Sequence, residues 1–277
     1  MRLRAADPIA GEWALVTGAS SGLGVEFATL LAERHANLVL VARRTDLLQQ
    51  LAARLRREHP VSVLVEGCDL SAAGSATALK ERLDAHGVAV GVLVNNAGYG
   101  LYGDFVDQPL RQTTTMLALN VVSMTELTGI FAADMVRRGS GYILLVASLL
   151  GYQPVPGYAA YAASKAYVLH FGEALHDELE PHGVVVTVLA PGAAATAFVD
   201  VAHQRDTRAL RLLMMQPRPV AAIGIEALLR GRPSVVAGSR NKLIALSNRF
   251  TSRRIQRMIF QRVFSGNGQT ATESSAS

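Results

Sequence analysis

The sequence predicts an α/β fold: a single domain built on one doubly wound parallel sheet of about seven strands, with helices on both faces. Three observations carry this. The chain has 277 residues, half of them hydrophobic, enough for a sizeable core and within the range of one α/β domain. Short Val/Leu-rich runs alternate with stretches of helical periodicity. The runs are continuously apolar rather than alternating, as expected for strands covered on both faces and joined by helical crossovers.

The elements follow in order. Trp13–Thr17 reads as the first buried strand, followed by a helix from about Gly22 to His35. Leu38–Ala42 is the second strand, and Asp46–Glu58 a helix with Leu47, Leu48, Leu51 and Leu55 on its apolar face. Val61–Glu66 and Val90–Asn95 are the third and fourth strands, separated by a helix across Ala72–His86. A long helix covers roughly Leu110–Arg138. Tyr142–Ala147, a helix over Tyr158–Glu180, Val184–Leu189 and a short Ser234–Ala237 complete the sheet. Right-handed crossovers then place ligands at the carboxyl ends of the strands.

Residues 1–239 are expected to form this domain, with an insertion at about 193–230 acting as a substrate lid. Phe198, Val199, Val201, Leu210, Leu212, Leu213, Met214 and Met215 make the insertion apolar, which suits a hydrophobic substrate of variable shape. Residues 265–277 have the composition of a disordered tail.

No stretch reaches about 18 uninterrupted apolar residues, so no transmembrane helix is expected. The lone Cys68 excludes an internal disulfide and fits a reducing, cytoplasmic compartment. Lysine occurs only at Lys80, Lys165 and Lys242, which suggests a GC-rich, bacterial genome. The net charge of +5 belongs to one segment. Residues 1–239 hold 20 basic and 21 acidic side chains, whereas 240–264 hold seven basic and no acidic ones. No nucleic-acid footprint is present elsewhere, and no metal site is expected.

In 240–264, Leu243, Leu246, Phe250, Ile255, Met258, Ile259 and Val263 recur at amphipathic spacings, with Arg249, Arg253, Arg254, Arg257 and Arg262 among them. The expected role of this stripe is packing on the body or on a partner subunit. The alternative is contact with an anionic membrane surface.

The glycine-rich turn Thr17-Gly18-Ala19-Ser20-Ser21-Gly22-Leu23-Gly24 lies between the first strand and the first helix. Gly18 and Gly22 permit the tight turn and close approach to a pyrophosphate. Gly24 permits close helix–strand packing, and the helix amino end offers N–H groups to the anion. After the second strand come Arg43 and Arg44, where an enzyme selective for NAD usually places an acid. Two arginines and the Ser21 hydroxyl suit the 2′-phosphate of NADP, with Arg43 ahead of Arg44. Asp69 follows the third strand, and Asn95-Asn96-Ala97-Gly98 the fourth. Asp69 either accepts from an adenine amino group or only shapes a turn. The Asn pair is suited to bracing the loop against the central strand.

Tyr161 and Lys165, four residues apart in a helix, share one face. A neighbouring ammonium and an oxidised nicotinamide would each lower the tyrosine pKa, suiting Tyr161 to general acid/base work. Ser148, at the end of the fifth strand, is placed to hold a substrate oxygen beside it. Asn120, a poor helix former in an apolar helical run, either binds a water relaying protons to Lys165 or satisfies a backbone group.

Together these residues resemble the short-chain dehydrogenase/reductase family, in its NADP-preferring bacterial branch, over roughly residues 11–240. The resemblance rests on the glycine-rich turn, Asn95–Gly98, Asn120, Ser148, Tyr161-x-x-x-Lys165 and Pro191-Gly192. It implies NADP(H)-dependent oxidoreduction at a carbonyl or alcohol of a small hydrophobic substrate. Tyr161 is then the acid/base, Lys165 binds the ribose and the tyrosine, Ser148 the substrate, and Asn120 the relay water. Ser20, Leu23, Leu70, Ala97, Gly98, Pro191 and Gly192 join the cofactor site, and Thr196 stands beside the nicotinamide carboxamide. Pairing of the helices around 110–138 and 158–180 implies a homodimer or homotetramer. Two other functions stay open: a ketoreductase dedicated to carrier-bound acyl chains, and an NADP-sensing binding protein without turnover.

Overall fold

A computed structural model describes residues 7–192, 215–248 and 250–258. The described residues form a seven-stranded, all-parallel sheet in the order β3-β2-β1-β4-β5-β6-β7. Its strands are β1 Trp13–Thr17, β2 Asn37–Ala42, β3 Val63–Gly67, β4 Val90–Asn95, β5 Gly141–Val146, β6 Val184–Ala190 and β7 Ser234–Val236. The order reverses between β1 and β4, so the carboxyl ends of those strands open the crevice expected to take a ligand.

The helices cover both faces, giving two apolar cores. One packs α1 (Leu23–Glu33), α2 (Thr45–Glu58) and α7 (Pro217–Leu229) around Phe27, Leu31, Leu48, Leu55 and Ile225. The other packs α3 (Ser75–Ala85), α5 (Met124–Arg138) and α6 (Ala159–Leu179) around Leu79, Leu127, Phe131 and Leu169. Burial on both faces is why the strands read as unbroken apolar runs.

Four expectations can be set against these elements, two of which change and two of which stay open. The first concerns the long helix. Leu110–Arg138 is one continuous helical stretch, but α4 (Leu110–Leu117) passes through a π segment, Ala118–Ser123, before α5. By length and composition this stretch is apolar enough to cross a membrane, contrary to expectation. Part of its apolar surface is accounted for by packing: Met116, Met124, Leu127, Phe131 and Met135 are buried in the body.

The second concerns the lid. Residues 193–214 lie outside the described residues, and with them Thr196 and most of the expected lid. Residues 217–229 are not lid. They form α7, the crossover from β6 to β7, packed on α1 and the sheet.

The third concerns self-association. Of the residues offered for pairing, Leu127 and Phe131 are core, Leu119 and Ile130 are partly buried, and Val122 is 53% exposed. Among these five, Val122 is therefore the side chain most open to a partner. The fourth concerns the C-terminal stripe. Leu243 and Phe250 are mostly exposed and Leu246, Ile255 and Met258 about half exposed, so the body covers the stripe only in part, while packing on a partner subunit stays open.

Candidate active site

Four chain segments meet at the carboxyl ends of β1, β4, β5 and β6. Thr17 ties the first two together. Its Oγ1 accepts from the backbone N–H groups of Asn96 and Ala97, both at 2.9 Å. Asn96 Nδ2 returns a 2.9 Å bond to the Thr17 carbonyl. Asn95 Nδ2 donates to the Met124 carbonyl at 3.0 Å and to Thr128 Oγ1 at 3.2 Å, fixing β4 to α5. The Asn pair is therefore a brace, and Thr17 is the hub the sequence reading left out. As the first residue of the glycine-rich turn, Thr17 carried the signal that could have found it.

The turn itself fits a dinucleotide. Gly18 has φ +67°, and an added Cβ would lie 2.9 Å from Asn96 Nδ2 and 3.0 Å from the Ala97 backbone. A Cβ at Gly24 would come within 2.2 Å of the Gly18 carbonyl oxygen. Only glycine lets α1 approach the turn this closely. Gly22 precedes α1, whose amino end no side chain caps, so its N–H groups are available to an anion. Leu23, partly buried, packs on the first core, and Leu70 is buried in the second.

The two arginines diverge. Arg44 lies over the turn, with Nη2 donating to Ser20 Oγ at 3.0 Å and to Ser21 Oγ at 2.9 Å. Arg43 acts on the other side, helping to hold the Asp69 carboxyl low, although hydrogen bonds from Ser71 are the larger cause. The two arginines thus take separate cation positions, Arg44 attached to the turn and Arg43 acting on Asp69. Asp69 Oδ1 accepts from Ser71 N at 3.0 Å and Ser71 Oγ at 2.7 Å, which is the turn-shaping alternative.

The proton-bearing half is assembled by α6 and the loop after β5. Ser148 caps the short 3₁₀ turn Leu149–Tyr152, accepting from Leu150 N at 3.2 Å. Its hydroxyl is also hydrogen-bonded to Tyr161, whose side chain is buried. Lys165 is buried as well. Its Nζ lies 5.9 Å from the centre of the Tyr161 ring and donates to the Val146 carbonyl at 2.8 Å. Close packing makes this possible: a Cβ at Gly151 would sit 2.8 Å from the Lys165 backbone. The Pro191 carbonyl accepts from Leu149 N at 2.8 Å, joining the loops after β5 and β6.

Electrostatics here show an influence that opposes one expectation: burial acts against the lowering expected from the neighbouring ammonium and an oxidised nicotinamide. Burial pushes Tyr161 up to about 12, with the Ser148 hydrogen bond as the opposing influence. Burial likewise pushes Lys165 down to about 8. Desolvation outweighs any help from the neighbouring ammonium, whose proton is directed at a backbone carbonyl instead. Tyr161 therefore holds its proton throughout the neutral range, as a hydrogen-bond donor toward a developing oxyanion must.

Asn120 sits in the π segment and is 1% exposed. Its Oδ1 accepts from Tyr99 N at 3.2 Å, and its Nδ2 donates to the Tyr99 carbonyl at 2.9 Å and to Ser164 Oγ at 3.3 Å. Of the two readings of Asn120, the geometry matches satisfaction of backbone groups. A Cβ on the adjacent Gly98 would lie 2.8 Å from Asn120 Oδ1 and 3.5 Å from Lys165 Nζ. The π segment, a device common at functional sites, aims Asn120 into this crowded corner. Asn120→Leu should lower the unfolding free energy by roughly 2–4 kcal/mol, since it strands a buried N–H and a carbonyl. Urea unfolding at neutral pH measures this, and an unchanged midpoint would be the contrary result.

Met116, Val155, Tyr158, Tyr161 and Ala162 form a separate apolar cluster, lined by Tyr99, Leu101, Tyr102 and Leu150. Tyr158 packs between its neighbours in tilted ring contacts, with ring centroids 5.1 Å from Tyr102 and 5.8 Å from Tyr161. This wall is an environment for a hydrophobic group beside Tyr161.

Comparisons with known proteins add the following. A family model described as short chain dehydrogenase matches residues 12–207. A very-long-chain 3-oxoacyl-CoA reductase of Pyrenophora tritici-repentis is 34% identical over 206 residues, covering 72% of this chain and 59% of that protein. The chain thus matches less than two thirds of that relative's length. Among solved structures, a short-chain dehydrogenase from Sphingobium yanoikuyae in complex with NADPH is 29% identical, with TM-score 0.77, covering 96% of this chain and all of its own. A bulky-bulky ketone specific alcohol dehydrogenase from Comamonas testosteroni is 28% identical, with TM-score 0.74, covering 95% of this chain and 97% of its own.

Proposed function

The chain belongs to the short-chain dehydrogenase family, and from that premise we propose that it is an NADP(H)-dependent oxidoreductase acting on a carbonyl or alcohol of a hydrophobic substrate. The observation that carries this is the buried Ser148–Tyr161–Lys165 constellation, set on the ligand edge beside the glycine-rich turn. NADPH, when bound, supplies the hydride.

The chain's own residues do the rest. The turn and the uncapped end of α1 receive the pyrophosphate. Arg44, with Ser20 and Ser21, and Arg43 on the Asp69 side offer cations and hydroxyls to the 2′-phosphate. Ser148 orients the substrate oxygen. Tyr161 Oη gives that oxygen its proton in reduction and takes it back in oxidation. Lys165 stays beside the tyrosine, held by the Val146 carbonyl. The aromatic and aliphatic wall excludes water from the exchange.

Several features support the finer parts of this reading. Two arginines replace an acid after β2, and one solved relative is described with NADPH. The apolar wall agrees with relatives named for long acyl chains and bulky ketones. A thioester-linked 3-oxoacyl chain is the second reading, favoured by the name of the Pyrenophora protein. The bacterial assignment rests on lysine scarcity, whereas that relative is eukaryotic. Self-association through the α4–α5 and α6 surfaces is part of the proposal, supported by Val122 and by Tyr167, both exposed.

The test is a panel of ketones, aldehydes, secondary alcohols and 3-oxoacyl thioesters, followed by nicotinamide absorbance with each cofactor. NADPH is expected to outperform NADH with at least one carbonyl. The double variant Arg43→Ala/Arg44→Ala should raise KM for NADPH roughly 10- to 100-fold, the scale of one or two lost charge-assisted bonds. KM for NADH should hardly move. Equal use of NADH by the wild type would overturn the NADP assignment.

A further inference from the structure

The C-terminal helix α8 (Ser239–Ser247) buries only Asn241 and Ala245. Its apolar side chains face outward instead: Leu243 is 68% exposed, Leu246 50%, and the following Phe250 83%. Ile255 and Met258, in the helical residues 253–258, are exposed too. Five such side chains within sixteen consecutive residues form an apolar surface of the kind that marks a contact site. Lys242, Arg253, Arg254 and Arg257 are exposed beside them. Across 240–264 no acidic residue offsets these cations.

This face is fixed in place by buried amides. Asn248 Nδ2 donates to Gln153 Oε1, directly after the turn Leu149–Tyr152 that Ser148 caps. Gln256, itself buried, donates to the Asn248 carbonyl at 2.8 Å and to the Thr251 carbonyl at 3.0 Å. Asn241 packs over Gly192, where a Cβ would lie 2.3 Å from its Nδ2. The outward apolar side chains are thus carried on a polar frame that is bonded to Gln153, next to the turn capped by Ser148.

We propose that this face docks on an anionic lipid bilayer and brings the active site to hydrophobic substrate held in the lipid. The apolar side chains would enter the headgroup boundary while the arginines and Lys242 meet lipid phosphates. Charge selects this occupant. A second copy related by a two-fold axis would press the same cations together. Docking stands independently of the oxidoreductase reading; uptake of substrate from lipid rests on that reading.

The full-length protein should be sedimented with vesicles of phosphatidylglycerol and phosphatidylcholine, and with vesicles of phosphatidylcholine alone. Wild type is expected to pellet with the anionic vesicles at low salt, to be released at high salt, and to bind the neutral vesicles far less. Arg253→Gln/Arg254→Gln/Arg257→Gln should bind roughly 100-fold less, each cation at such a surface being worth about fivefold. Leu243→Ser/Phe250→Ser should also weaken binding at unchanged charge. Turnover of a water-soluble ketone should be the same in all three proteins, while turnover of a ketone dissolved in the vesicles falls in both variants. Wild type left in the supernatant at low salt would overturn the proposal. So would a triple variant that binds like wild type, or sedimentation velocity showing a dimer that Leu243→Ser/Phe250→Ser dissociates. If no ketone is reduced in either form, the oxidoreductase reading fails and the sedimentation result still decides docking.

Discussion

Replacing Tyr161 with phenylalanine is expected to lower kcat at least about 100-fold, the low end of what a general acid contributes. The substitution removes one oxygen and keeps the ring, so the contacts with Tyr158 and the apolar cluster persist. Two functions disappear together: the hydrogen bond with Ser148 and the proton that neutralises the forming alkoxide. Because burial holds the tyrosine at about 12, the wild-type phenol is fully protonated at neutral pH and primed for reduction. Cofactor affinity should be unaffected, since the glycine-rich turn, Arg43 and Arg44 lie in other segments. Fluorescence titration with NADPH, beside steady-state kinetics, separates the two effects. Near-normal turnover would remove Tyr161 from the proton step.

Lys165→Met should act on activity and stability in opposite directions. We expect kcat to fall at least about 10-fold, because the cation beside Tyr161 is lost. Stability should change with pH in a defined sense. Lysine normally titrates at 10.5, and burial brings Lys165 down to about 8. Below about pH 8 the folded and unfolded chains both carry the proton, and the folded state bears the full cost of a buried charge. Between about 8 and 10.5 the folded protein has released the proton while the unfolded chain retains it, so stability rises with pH. A shift of this size corresponds to roughly 3 kcal/mol. Methionine has no proton to release. The stability of Lys165→Met relative to wild type should therefore shrink across that window, as read from urea midpoints at stepped pH. Above pH 10 a second effect enters wild type and variant alike: Tyr161 keeps its proton up to about 12 while an unfolded tyrosine loses it, so both weaken and the difference between them still reports Lys165. A difference between wild type and variant that is flat from pH 8 to 10.5 would contradict the burial account of Lys165.

These effects show where the chain could be read without coordinates. The strands were legible because burial on both faces leaves unbroken Val/Leu runs, and Val90–Asn95 matches β4 residue for residue. Tyr161, Lys165 and Ser148 were legible because helical spacing and a strand end bring them to one edge. What escaped were matters of direction and depth. Asn120 looked like a weak point in a helix, yet the π segment that turns it toward Tyr99 and Ser164 comes from backbone packing. The tyrosine pKa was expected to fall beside a lysine and an oxidised nicotinamide; spacing reveals the lysine but not the burial that opposes its effect. Position along the chain also does not reveal that serine hydroxyls from another segment hold Arg44. The C-terminal stripe was found by periodicity, but periodicity does not say which way the stripe faces. Pro217–Leu229 was joined to the lid because an apolar crossover helix and an apolar lid have the same composition.

The most direct measurement of the central claim is the fate of the hydride. NADPH carrying deuterium at the transferable C4 position should be incubated with the protein and a hydrophobic ketone from the panel, and the alcohol analysed by mass spectrometry. The account predicts a single deuterium on the carbinol carbon, formed by wild type and lost with Tyr161→Phe. Alcohol without the label, or no alcohol from any carbonyl in the panel, would contradict it.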